Sequence, residues 1–184
     1  MKKLLMAATV LALSSSCTYY DKLVKFNLNF EDKKSDVGNN KGLDLAVHDD
    51  RLKPSFIGTK EFCDNKKINI NTEQNLAELL KKKIDENLSQ KGFKKGNDRL
   101  VEIHLEQLQY KAECGFLLGK SKADVVIRVA VTNPLLNTTM TKTFELSSNN
   151  KHFIIPLSAT DEKIINDVLE EVVQDILNHD MLVR

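Results

Sequence analysis

Three cysteines and four histidines carry most of the reactive chemistry in this chain. Cys17 is placed for covalent modification. It follows Ser14-Ser15-Ser16, an apolar run from Leu4 to Leu13, and a basic start at Lys2-Lys3. Positive charge, then about ten apolar residues, then small residues is the order of an export signal. The run is too short to cross a bilayer, which takes about 20 apolar residues. A thiol directly after the small residues can be converted to a diacylglyceryl thioether, and cleavage before Cys17 would then leave a lipidated N-terminus. Ser14 stands three places before the cysteine, where such sites usually carry Leu. The alternative is a conventional cut after Ser16, which obeys the same small-residue rule and releases a soluble product. Cysteine arithmetic favours the lipid, because modifying Cys17 leaves Cys63 and Cys114 as an even pair.

Cys63 and Cys114 stand alone, without the C-x-x-C spacing of zinc or thioredoxin-like sites. In an oxidising compartment they are expected to form a disulfide, the alternative being two free thiols. Closing a loop of about 50 residues stabilises a fold by roughly 4 kcal/mol on the chain-entropy model. His48-Asp49-Asp50 has the residue types of a metal ligand set or an acid/base pair, and Ser55 nearby would complete a hydrolase constellation. Against this, His104 falls on the polar face of a strand, His152 in a turn and His179 at a helix end. No H-E-x-x-H brings two histidines onto one helix, and no serine sits in a G-x-S-x-G elbow. Glu170-Glu171 reads as a solvated helix face, and a protonated His179 suits a helix C-terminus. The expectation is a protein that is not an enzyme, with no metal and no cofactor.

Composition bounds the partners. Removing residues 1–16 leaves 184 − 16 = 168 residues, enough for one domain with a sizeable core. Of the 27 basic residues, Lys2 and Lys3 leave with the signal, so 25 face 26 acidic ones. A nucleic-acid binder needs a basic excess or stripe, and none is present. The domain reading is therefore a signal at 1–16, a short membrane-proximal linker at 17–22 and a single domain at 23–184. Thr18 stands where an inner-membrane retention signal would place Asp, which favours the outer membrane.

The elements that must position these groups follow from periodicity. Val24, Phe26, Leu28 and Phe30 alternate with polar residues as in a strand with one buried face, and Leu43, Leu45 and Val47 repeat the pattern. Residues 31–42 read as a loop, as does the polar connection holding Pro54 and Gly58. Lys67 to Ile70 forms a short strand. Leu76, Leu79, Leu80, Ile84 and Leu88 make a helical stripe, with Asn71 or Thr72 as the cap, Gln74 near N3, and Gly92 as the C′ stop. Three long strands follow. In the first, Val101, Ile103 and Leu105 differ in parity from Leu108 and Tyr110, which calls for a bulge at Glu106-Gln107. The second, Ala123 to Val131, reads as central because Val126 and Ala130 interrupt its polar side. Asn133 to Asn137 turns the chain into the third, where Met140, Phe144 and Leu146 share a face. The last helix begins after Pro156, capped by Ser158 or Thr160, with Asp161-Glu162 in its first turn and an apolar face from Ile164 to Leu177. Together these give an α+β domain: an antiparallel or mixed sheet with two amphipathic helices on one face.

Two connections are unusually apolar. Phe116-Leu117-Leu118 lies between Gly115 and Gly119, and Leu135-Leu136 sits in the turn between two strands. Each could contact a partner or lipid, or fold over the edge of the core.

The run Asn71-Thr72 through Leu79-Leu80 to Lys91-Gly92-Phe93, then Lys122-Ala123-Asp124 and Met140-Thr141-Lys142, resembles the YajG family of bacterial envelope lipoproteins. Val47-x-Asp49-Asp50-Arg51 with Ile57-Gly58 looks like that family's first hairpin. The resemblance runs from about Leu43 to the C-terminus, departing at Ser14 and at the two extra cysteines. It implies a lipid-anchored α+β domain with no established active site. The functional expectation is an outer-membrane, periplasm-facing lipoprotein held by lipid at Cys17, with a structural role or an envelope protein as partner and no nucleic acid. A periplasmic binding module for a cell-wall or lipid fragment is the alternative, with Val126, Arg128 and Ala130 as the place to look.

Overall fold

A computed structural model of the protein describes residues 20–30, 35–115, 118–153 and 158–182. Within them the period-2 stretches become strands and the period-3.6 stretches become helices. In chain order these are β1 (Lys22–Leu23), β2 (Gly42–Asp49), β3 (Phe56–Glu61), β4 (Lys67–Asn71), α1 (Leu76–Gln90), β5 (Lys94–Lys95), β6 (Arg99–Glu113), β7 (Gly119–Asn133), β8 (Thr138–His152) and α2 (Ser158–Asn178). A 3-10 turn at Asp180–Leu182 follows, burying Met181 and Leu182. The eight strands form one mixed, open sheet, and both helices pack against one face of it. This is the expected α+β architecture.

β6, β7 and β8 make an antiparallel meander, with β7 in the interior as its apolar second face required. The register of β6 against β7 shifts between Leu105 and Gln107. The expected bulge is therefore at Glu106, and it puts Leu105 and Leu108 both in the core. β2 and β3 run parallel to β6 and lie end to end along it: β2 pairs 99–105 and β3 pairs 110–113. They are consequently not partners in a hairpin, which corrects the reading of 47–58. β3 itself was legible only as a polar connection, since Ile57 is its one large buried apolar residue. Its pairing on both sides, with β4 and β6, makes it a strand. Gly58 permits this, because a Cβ there would overlap the carbonyl oxygen of Tyr110 on β6.

The helix boundaries also move. α1 starts at Leu76 with Asn75 as its cap, the Asn75 Oδ1 accepting the Glu78 N–H at 3.3 Å. Asn71 instead ends β4. The C-terminal end is as read: Gly92 has φ +85°, and Phe93, buried, returns its N–H to Leu88. Thr160 lies inside α2 and so does not cap it. The α2 face from Ile164 to Leu177 is buried throughout at its apolar positions.

The stretch 24–30 is extended, with Val24, Phe26 and Leu28 buried, but only Lys22–Leu23 ahead of it pairs as a strand, parallel to β4. Side chains of the helical layer take the place of a strand neighbour. Glu162, Asn166 and Glu170 of α2 accept the N–H groups of Lys25, Asn27 and Asn29 at 3.3, 3.0 and 2.8 Å. Gln74, just ahead of α1, accepts the Phe26 N–H at 2.5 Å and donates to the Phe26 carbonyl at 3.2 Å. The match is metric: four helical residues advance about 6.0 Å and two extended residues about 6.6 Å. The strap therefore runs parallel to α2.

Candidate functional site

On the face of the sheet away from the helices, parallel pairing sets His48 of β2 beside His104 of β6. Their rings stack with centroids 4.9 Å apart. Asp50 bonds His104 Nδ1 at 2.8 Å, and Arg128, across from His104 on β7, donates from Nε to Glu106 at 2.6 Å. Asp49 is taken by Arg51, whose Nε and a terminal nitrogen each reach it at 2.7 Å. The acid/base constellation considered from sequence is thus divided: Asp49 serves Arg51 and Asp50 serves His104. Ser55 directs its carbonyl to the Thr72 N–H at 2.7 Å. Among the described residues no three His, Cys, Asp or Glu side chains converge as a metal set. The Asp50–His104 and Glu106–Arg128 pairs are open to solvent and contribute about 0–1 kcal/mol each, whereas the Asp49–Arg51 pair is largely buried. Val126 lies between Gln107 and Glu145 in the next row of the same sheet face.

The most buried polar chemistry is on the other face. Asp161 of α2 is fully buried, with Lys60 Nζ 2.7 Å from Oδ2 and the Tyr110 hydroxyl donating to Oδ1 at 2.7 Å. Lys22 of β1 stands 3.6 Å from the same Oδ2. The carboxylate placed by sequence in a helical first turn is therefore a core tie between β3, β6, β1 and α2. Burial, and then the bond to Asp161, raise the Tyr110 hydroxyl far above the ordinary tyrosine range. Burial also lowers the Lys22 amine, outweighing the attraction of Asp161. Next along the same face, Ser121 Oγ meets His152 Nε2 at 2.8 Å, so His152 ends β8 rather than occupying a turn. His179, just past the end of α2, lies with Nε2 2.8 Å from Lys142 Nζ, while its Nδ1 is 3.2 Å from the Met181 N–H and 3.3 Å from Asp180.

Cys63 and Cys114 are bridged, with their Cα atoms 5.1 Å apart. The disulfide ties the chain beyond β3 to the end of β6. Around it lie the start of β1 and β4, the start of β7 and the end of β8, so one end of the sheet gathers Tyr20, Leu118 and Phe153. Tyr20 and Phe153 are exposed, Phe153 by 91%. Cys17, Phe116 and Leu117 lie outside the described residues. Leu135 and Leu136 are at the opposite end, on the β7–β8 turn, where Asn133 Oδ1 accepts both their N–H groups at 3.0 and 3.2 Å. Both leucines are exposed, so this turn does not fold over the core. Two features escaped sequence reading: the Asp161 tie, whose members are far apart in the chain, and the outer edge of β8, which pairs only with β7 among the described residues.

No helix among the described residues is long and apolar enough to cross a membrane. No curated protein matches the chain. Among solved structures, a protein of Xanthomonas campestris aligns with a TM-score of 0.60 at 8% identity, covering 90% of this chain and 96% of that one. An uncharacterized protein aligns with a TM-score of 0.54 at 10% identity, covering 86% and 97%. These likenesses show a shared fold. A neuraminyllactose-binding hemagglutinin homolog from Helicobacter pylori aligns at a TM-score of only 0.38, with 10% identity and 84% and 92% covered, too low to carry an argument. A family model described as "Uncharacterized lipoprotein" matches residues 29–183. With nearly all of the folded domain inside that match, the chain belongs to this lipoprotein family, the YajG family that its helix and strand punctuation resembles.

Proposed function

We propose that this chain is a periplasm-facing outer-membrane lipoprotein, held by lipid on Cys17, which acts without catalysis by receiving another envelope protein along β8. Membership of a lipoprotein family implies the envelope. Thr18, in place of a retention Asp, supports the outer membrane. The observation that carries the partner role is the β8 edge, 15 residues long and paired on one side only among the described residues. Such an edge is a template for strand addition unless it is blunted. Its outward side chains are largely Thr, Ser and Asn, with no Pro. The exposed Leu135-Leu136 turn adds an apolar contact at its start.

The test is membrane fractionation of native protein and Cys17→Ser, combined with photo-crosslinkers placed at Leu136 and Ser147. Loss of processing and membrane retention in Cys17→Ser, together with crosslinks to one envelope protein of discrete mass, is the expected result. Normal processing of the variant would remove the anchor. Crosslinks to no specific protein would remove the partner role.

A further inference from the structure

The end of the sheet that carries β1, and therefore the chain leading back to Cys17, also carries a basic cavity. Register brings Lys111 of β6, Lys120 and Lys122 of β7 and Lys151 of β8 around one opening of about 430 Å³. Glu113 is the single carboxylate in its wall. Lys111 is ion-paired with Glu113, and Lys122 lies 2.8 Å from Asp124. Lys120 and Lys151 face each other directly across the β7–β8 pair; Lys120 also stands opposite Glu113 across the β6–β7 pair and attracts it, while Lys151 makes no ion pair among the described residues. Like charges placed opposite one another on a sheet are unfavourable unless an anion joins them.

The geometry points to a docking surface for the bilayer, in which this four-lysine cavity takes the phosphate headgroups of anionic lipid while Phe153 and Tyr20 enter the interface. The inference rests on the lipid-anchor reading above and adds an orientation to it. Only two residues separate Cys17 from Tyr20, a reach of about 10 Å. The tether leaves at β1, and the cavity lies four to five strands away on the same sheet end, about 20 Å at the usual strand spacing. A membrane plane that meets one thus meets the other. Exposed aromatics beside lysines are the pairing suited to an interface, where rings sit at headgroup depth and lysine stems lie along apolar surface. The lysines are charge-complementary to anionic headgroups, and the disulfide holds the β3 and β6 ends of this surface together.

The chain contains no tryptophan, so Phe153→Trp gives a single reporter in the full, lipidated protein. It is incorporated into vesicles of phosphatidylcholine alone or with phosphatidylglycerol, with and without Lys120→Glu and Lys151→Glu. The expected result is a blue-shifted emission that requires phosphatidylglycerol and is lost in the lysine variants, with affinity for the anionic surface falling about fivefold per lysine removed. Protein that associates with vesicles while its tryptophan emission stays unshifted, or shifts equally on neutral lipid and in the lysine variants, overturns the docking surface but leaves the anchor standing. Failure to associate with vesicles at all overturns both. Inorganic phosphate, matched against chloride at equal ionic strength, is the last arm. Removal of the lysine-dependent shift by phosphate alone would assign the cavity to free phosphate and overturn the lipid. Circular dichroism of each variant checks that the fold is retained.

Discussion

Asn166 of α2 holds Asn27 of the strap as a neighbouring strand would: its Oδ1 accepts the Asn27 N–H at 3.0 Å, and its Nδ2 donates to the Lys25 carbonyl at 3.1 Å. One side-chain amide thus replaces both halves of a ladder step. Asn166→Ala is expected to cost about 1 kcal/mol, the usual net worth of bonds at a half-exposed site. Asn166→Asp keeps the acceptor and loses the donor, so it should fall between. Urea denaturation measures both, and amide exchange should quicken at Asn27 in the alanine variant while the β6 and β7 core stays protected.

The Asp161 tie is expected to be among the most sensitive points in the molecule. Removing the carboxylate takes the Asp161 charge away from the buried Lys60 ammonium and the Asp161 acceptor away from the Tyr110 hydroxyl. Asp161→Ala should therefore cost about 3–5 kcal/mol. Replacing Lys60 and Asp161 together by apolar residues of similar volume should recover part of that loss. A marked failure of additivity between single and double variants is the signature to look for.

Tyr110 sets an alkaline limit. Its folded-state pKa is raised, so the folded protein holds the hydroxyl proton more tightly than the unfolded chain does. The stability this contributes is intact below the ordinary tyrosine range near pH 10 and is lost as pH climbs above it. Lys22 acts in the opposite sense. Its pKa is lowered by burial, so its cost is present at neutral pH and relieved as the unfolded amine also deprotonates. Comparing Tyr110→Phe with wild type isolates the tyrosine: the urea midpoint of wild type should fall more steeply above pH 10 than that of the variant.

Reduction of Cys63–Cys114 opens a loop of sequence separation 51. About 4 kcal/mol of stabilisation is expected to disappear on the chain-entropy model. Cys63→Ser with Cys114→Ser should show the same loss without reductant, and added reductant should not lower the double variant further. Agreement between the two measurements is the check that the bridge, and not another effect of the reagent, was responsible.

Gly58→Ala tests the close passage of β3 over β6. The added methyl would overlap the Tyr110 carbonyl, so β3 must shift and its pairing with 110–113 must loosen. About 2–3 kcal/mol is expected, in line with overpacking elsewhere. Amide exchange should rise in β3 and β4 before β7.

Much of this architecture was legible because local pattern and tertiary demand agree. The parity change between Leu105 and Leu108 can be reconciled with one core only by an extra residue, and the bulge at Glu106 is that residue. Gly92 is a helix stop because its φ of +85° is one that a side chain resists. Where the two disagree, local pattern misleads. Pro54, Gly58 and scattered polar residues mark a loop at β3, yet pairing on both edges makes a strand. Residues 24–30 alternate as a strand does, but the groups that satisfy their backbone are side chains remote in the chain: Gln74 for Phe26, at a separation of 48, and those of α2, as with Asn27 and Asn166 at a separation of 139. The lysine cavity was invisible for the same reason. Lys111 and Lys151 are unremarkable singly, and only the register of a meander gathers them.

The strap also decides how the domain meets a mechanical load. A pull on the chain ahead of Tyr20 enters at β1 and travels along the strap's own axis, which runs parallel to α2. The bonds from Glu162, Asn166, Glu170 and Gln74 then share the force in shear instead of opening one after another. The domain should resist being drawn from its N-terminus more strongly than being peeled from the β8 side.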